Sequence, residues 1–183
     1  IFSGVFINNE RLINSELETR ARSHFNNIVL TRSWSAGYGG VYVEKLPGVI
    51  SNPYLDDPDV ETTDGVTLTL KNPALMTREI SELAGKNGDF QFHITSLKLK
   101  NPDNAPDAFE KSALESFEKG VKEIFSKEYG ENKTYFRYMA PLKVEKSCLE
   151  CHRKQGYRAG DVRGGISVKF EISEVQNSLQ TNR

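Results

Sequence analysis

The chain has 183 residues, 37% of them hydrophobic and 27% charged, the composition of one globular domain with its own core rather than of a disordered or membrane-embedded segment. Lys plus Arg number 24 against 25 for Asp plus Glu, so no overall field draws the chain to an anionic polymer and no nucleic-acid partner is expected. No apolar run approaches the ~18 residues of a spanning helix and no signal-peptide pattern is present, although the chain opens on Ile1 rather than Met, as expected where a leader or anchor has been trimmed.

From Asn9 to Arg32 neither Pro nor Gly interrupts the chain, and Leu17, Ala21, His24 and Ile28 recur at helical spacing, which predicts a long amphipathic entry helix. Gly37, Gly39 and Gly40 then punctuate the run before Val41-Tyr42-Val43, the first predicted strand, and Asn52 to Gly65 reads as loop from its Pro, Asp and Asn content. A short strand is expected at Val66 to Leu70. Asn72 before Pro73 is a helix start, with Met76, Ile80 and Leu83 on the expected buried face and Gly85 as the stop. Phe90 to Leu99 alternates as a strand, with Phe90, Phe92 and Ile94 on one face and Gln91, His93 and Thr95 on the other. Phe109, Ala113, Phe117, Val121 and Ile124 predict a further helix running through Phe125 towards Gly130. Thr134 to Val144 and Gly164 to Phe170 read as two more strands, and Glu171 to Arg183 as a helix leaving the domain. The expected fold class is α+β, an antiparallel sheet with flanking helices behind a long N-terminal helix, because the strands lack the long crossovers that parallel pairing needs. The expected organisation is one domain over 1–183, with an entry helix at 9–32, a core at 34–170 and an exit helix at 171–183.

Both cysteines of the chain and one of its three histidines fall together in Cys148-Leu149-Glu150-Cys151-His152. C-x-x-C-H is the attachment spacing of c-type haem: two thioethers grip the porphyrin and the adjacent imidazole is left to ligate iron. The competing readings of a C-x-x-C pair explain less. A thioredoxin-like redox pair would open a helix in a βαβ unit, and none surrounds Val144; a structural zinc site needs four ligands, and His24 and His93 lie far off in sequence; a disulfide across two residues closes a tiny loop and leaves His152 unexplained. One covalent haem c is therefore expected, with His152 as proximal iron ligand. Small electron-carrier cytochromes put the motif near the N-terminus with an axial Met downstream, whereas no Met follows His152; the strand-like runs exclude a four-helix cytochrome; and one motif excludes a multihaem carrier.

The stretches RSWSAGYGGVYV, NPYL, LTLKNPALMTREISE, HITSLKLKNPDNAPDAFE and FRYMAPLKVEKSCLECHRKQGYRAGDVRGGISV together resemble, over about Arg32 to Val168, the extracytoplasmic c-haem sensor domain of PAS-like fold that fronts bacterial histidine kinases, chemoreceptors and cyclic-dinucleotide enzymes. The resemblance implies a five-stranded antiparallel sheet with helices on one side, haem held against it, signal helices at both ends, and a periplasmic location in an inner-membrane protein. Some members of the family ligate the distal face of iron with a cysteine thiolate, which this chain cannot do, since both cysteines belong to the attachment motif.

The distal position thus has open candidates. Met76 would supply a thioether or serve as core filler; His24, on the entry helix, would couple iron to a signal helix or simply pack; His93 suits hydrogen-bonding duty; Met139 could face either way; or the site is vacant and open to NO, CO or O₂. Arg32, Arg78, Arg137, Arg158 and Arg163 are candidates for the anionic propionates, and Trp34, Tyr42, Tyr54 and Tyr157 for walls of the porphyrin. The expected function is that of a periplasmic, non-enzymatic input domain that senses redox state or a diatomic gas through haem coordination and acts on its own membrane-anchored output domain, with pairing of entry helices in a homodimer as a further expectation. The alternatives are a monohaem electron-transfer cytochrome and a peroxidase-like enzyme using His24 or His93.

Overall fold

The structure, a computed structural model, describes residues 2–88, 90–144 and 156–175, with side chains from residue 10 onward. Helix α1 spans Phe2–Gly37 and ends where Gly39 and Gly40 take positive φ. It is longer than the predicted 9–32 at both ends. Strands β1 (Val41–Glu44), β2 (Asp59–Glu61) and β3 (Thr67–Lys71) follow and form an antiparallel three-stranded sheet of order β1-β3-β2. Helix α2 (Pro73–Asn87), β4 (Gln91–Thr95), a 3₁₀ turn at Pro102–Asn104 and helix α3 (Ala108–Glu118) come next. Strands β5 (Ile124–Tyr129), β6 (Thr134–Lys143) and β7 (Val162–Glu171) complete a second antiparallel sheet of order β4-β7-β6-β5.

The period-2 rule divides the four-stranded sheet into two faces. Phe92, Phe136, Tyr138, Ala140, Ile166, Val168 and Phe170 point one way and are buried with Leu17 and Ala21 of α1. The predicted stripe of α1 therefore lies on the chain's own sheet, which removes Leu17, Ala21 and Ile28 as a pairing surface between copies. Burial of such side chains contributes about 1.5–3 kcal/mol each, so this contact fixes where α1 runs. Arg22 adds a bidentate grip on Glu123, beside β5, at 2.8–3.2 Å. On the opposite face α3 packs Ala113, Leu114 and Phe117 over Met139, which settles Met139 as core.

Three expectations are corrected. The helix expected over 109–125 stops at Glu118, because Gly120 turns the chain at φ +95°; Ile124 and Phe125, which continued its apolar spacing, belong instead to β5, paired with Met139 and Tyr138 of β6. The loop expected over 52–65 contains β2, which exists through its pairing with β3. In place of one five-stranded sheet there are two, of four and three strands. At the C-terminal side β7 includes Glu171 and residues 173–175 begin a helical turn; the rest of the expected exit helix lies outside the described residues. Among the described residues no helix is long and apolar enough to cross a membrane.

Candidate cofactor-binding cavity

A cleft open to solvent lies where α1, the first turns of α2 and the ends of β4, β6 and β7 meet. Local chemistry fixes each wall. Asn72 caps α2 by accepting the Leu75 N–H at 2.9 Å, with Pro73 in the first helical position. Arg32 of α1 donates through Nη1 to the Pro73 carbonyl at 2.8 Å and to Thr77 Oγ1 at 2.7 Å, binding the two helices together at the rim. Buried Asn52 accepts the Tyr54 N–H at 3.0 Å, an Asx turn that brings Tyr54 and Leu55 to the wall. Thr95 donates to the Asn104 carbonyl at 2.7 Å and so closes the loop that supplies Leu99 and Lys100.

The lining has two parts. Leu55, Ala74, Leu75, Ile94, Leu99 and Leu142 make apolar walls, while Arg32, Arg78, Lys100 and Arg163 supply positive charge; among the described residues no Asp or Glu lines the cavity. In a chain of net charge −1 this is a local concentration of cations. Arg78 reaches Glu82 and Asp103 only at 3.8 and 3.9 Å, and Arg163 Nε is buried without an acceptor. Such a chamber suits a flat apolar body that carries carboxylates.

The predicted attachment motif, Cys148, Cys151 and His152, lies outside the described residues, but both of its stems are described. β6 ends and β7 begins beside the cavity through Leu142, Arg163 and Gly164. The stems are zipped by Val144 N–H to the Asp161 carbonyl and Gly160 N–H to the Val144 carbonyl, both at 2.9 Å.

Of the other predicted residues, Arg32, Tyr54, Arg78 and Arg163 line the cavity and the rest do not. Met76 is half-buried beside the lining residues Leu75 and Ala74, and Ile80 and Leu83, expected on its buried face, are 39% and 61% exposed; α2 turns Leu75 and Arg78 inward instead. Trp34 is 58% exposed against Tyr38, and Tyr42 is also exposed. Arg137, expected beside a propionate, is committed elsewhere: its Nη1 donates to Asp107 and Glu128 at 2.7 Å each and its Nη2 lies 3.2 Å from Glu110, on the α3 face of the sheet. His93 is there too, its Nδ1 3.0 Å from both oxygens of Glu110. Asn52, Leu75 and Lys100 were not singled out in the sequence; as an ordinary Asn, Leu and Lys they carry no local signal of their position.

His24, the other distal candidate, stacks on Phe90 at 4.2 Å and lies 6.1 Å from Phe170. Burial, aided by the charge of Arg20, holds its imidazole below the ordinary histidine range. A folded-state pKa below the unfolded one means that the contribution is complete above about pH 6.5 and is lost as pH falls through the folded value. His24→Phe should keep the stacking and flatten the decline of stability between about pH 7 and 5, read from thermal unfolding across that range.

Two comparisons bear on this arrangement. The sequence pattern of the Tll0287-like family matches residues 9–171. The chain belongs to that family. The crystal structure of the cyanobacterial haem protein Tll0287 matches this Tll0287-like chain with a TM-score of 0.51 at 20% identity, covering 85% of this chain and 95% of that one. It shares the mixed helix and antiparallel-sheet architecture described above, long N-terminal helix included. No curated protein sequence matches the chain.

Proposed function

We propose that this Tll0287-like domain holds one covalent haem c in the cavity and serves as an extracytoplasmic sensor of redox state or of a diatomic gas. The observation that carries the reading is the position of the motif's stems: a segment with the C-x-x-C-H spacing leaves and returns at a cavity walled by apolar side chains and cations, with no carboxylate among the described lining residues. The likeness in fold to a structure titled as a haem protein supports it.

Cys148 and Cys151 would tether the group, His152 would donate its imidazole, the leucines and Ile94 would exclude water, and Arg78 and Lys100 would face its carboxylates. When bound, the haem supplies an iron centre whose coordination responds to electrons or to small ligands. Neither His24, packed on phenylalanines, nor His93, held by Glu110 on the α3 face, lines the cavity, which disfavours a peroxidase-like role. Met76, the thioether candidate, does not line it either, and this favours an iron position left for an exogenous ligand. Arg32, in the cavity wall and bonded to α2, connects events in the cavity to α1, the helix that would lead to a membrane-anchored kinase, chemoreceptor or cyclic-dinucleotide output domain.

The test is expression in a host with the c-type maturation system. The wild type should be coloured, with haem that resists acid acetone; Cys148→Ser/Cys151→Ser should yield colourless protein. The ferrous spectrum should change on adding CO or NO. A six-coordinate ferrous form that ignores both gases assigns the domain to redox sensing or electron transfer, and colourless wild-type protein overturns the haem reading.

A further inference from the structure

Among the described residues that line the cavity, three polar side chains are buried: Thr95, Ser96 and Asn52, at 3%, 5% and 7% exposure. The two hydroxyls have already given their protons to carbonyls, Thr95 to Asn104 at 2.7 Å and Ser96 to Lys98 at 2.9 Å. Asn52 differs. Its Oδ1 accepts the Tyr54 N–H at 3.0 Å, and because a backbone N–H can only donate, this contact settles which branch of the amide is the oxygen. The Nδ2 branch, with two N–H donors, makes no hydrogen bond among the described residues. Exchanging the branches would set donor against donor at Tyr54, so the turn holds the amide as it is. A buried N–H without an acceptor is costly, and an acceptor entering the cavity removes that cost.

The chemistry of the acceptor follows from where the charges sit. Lys100 is exposed and the Arg78 side chain is 35% exposed, whereas Asn52 is buried. A carboxylate keeps to the outer end, where cations and water meet it. Asn52, a neutral donor, is left for a part of the ligand that is buried and carries only partial charge. On the haem reading the cavity admits a diatomic gas, and hydrogen-bond donors in such a pocket decide which gas is held. Of these gases, O₂ draws electron density from a ferrous centre and becomes a good acceptor. CO does so far less and gains little from a donor.

We propose that Asn52 is the gas-selecting residue of the cavity: it donates through Nδ2 to O₂ and makes this domain a sensor of dioxygen rather than of CO. The inference rests on the haem reading above.

The experiment uses the full chain from the maturation host, as wild type, Asn52→Asp and Asn52→Leu, and compares the affinities of the ferrous forms for O₂ and CO. Aspartate keeps the side-chain shape and the acceptor of the turn, but removes the donors and adds charge. Leucine keeps the approximate shape and adds no charge, but loses the turn. Loss of the donor is the change they share. Both variants should lose about tenfold in the ratio of O₂ to CO affinity, the equivalent of one hydrogen bond, and the C–O stretching frequency of the CO complex should rise in both. An unchanged ratio, or a fall confined to one variant, overturns the assignment of Asn52 and leaves the haem reading standing. Wild-type protein that is colourless, or whose ferrous form binds neither gas, overturns the gas reading and this assignment with it.

Discussion

Replacing Glu110 by alanine should lower the midpoint of thermal unfolding by roughly 6–20 °C, the equivalent of about 3–5 kcal/mol in a domain of this size. The carboxylate is 2% exposed and is approached by four groups: His93, Ser167 Oγ, the Asp107 N–H at 3.0 Å and Arg137. It also completes the capping box of α3, where Asp107 accepts the Glu110 N–H at 2.9 Å. One side chain thus ties α3 to β4, β6 and β7. Alanine leaves Ser167 and His93 with unmet bonds beside a guanidinium that is itself 6% exposed, and an unpaired buried donor costs more than the bond contributed. Glu110→Gln keeps the volume but turns an amide donor towards other donors, and should fall between wild type and alanine.

The same residue shapes the acid limb of stability. Burial alone would raise the Glu110 carboxyl; the hydrogen bonds from His93, Ser167 and Asp107 outweigh it and hold the group below the ordinary glutamate range. A lowered folded-state value means that its contribution is present above about pH 4.5 and is lost as pH falls through the folded value. Glu110→Gln should therefore be less stable than wild type at pH 7 and show a shallower loss below about pH 4.5, measured as unfolding free energy against pH.

Asn72-Pro73 could be read in the sequence as a helix start because an N-cap is a contact between neighbours along the chain, and the Leu75 N–H does bond the Asn72 side chain. C-x-x-C-H stands out in the sequence for a like reason, since the spacing that covalent haem attachment would demand is local; the motif itself lies outside the described residues. The end of α3 was not legible: Val121, Ile124 and Phe125 extend its apolar spacing, and only the positive φ of Gly120 and the pairing of Ile124 with Met139 reveal a strand. Arg137 was placed correctly on a strand, but alternation does not say which face meets α3, and that face decides between a propionate and three carboxylates. The cavity assembles residues from α1, α2, three strands and two loops. The lack of acidic residues in its lining, among the described residues, is a tertiary property, and no window of sequence displays it.

Gly164→Ala should damage both the fold and the cavity. A Cβ at this position falls on the Thr95 carbonyl oxygen, closer than real contacts allow, and 3.0 Å from the Cβ of Ser96. The obstacle is backbone, so it cannot swing aside as a flexible side chain would. Thr95 is paired with Gly165 across the β4–β7 ladder, and yielding to the methyl means opening that ladder at the end where the cavity lies. Overpacking ordinarily costs about 1–3 kcal/mol, and a clash with an ordered ladder belongs at or above the upper figure. Gly164 also lines the cavity beside Arg163 and Leu142, at the root of the segment that carries the cysteines, so retention of the proposed haem should fall along with stability. Gly85→Ala provides the contrast: within α2, its Cβ would meet only the flexible Gln91 side chain, at 3.4 Å and beyond, and the change should stabilise by about 0.4–1 kcal/mol. Denaturant unfolding of the two variants should therefore move in opposite directions from wild type. A Gly164→Ala protein as stable as wild type would mean that β4 and β7 do not approach at this point, and the cavity floor would have to be drawn differently.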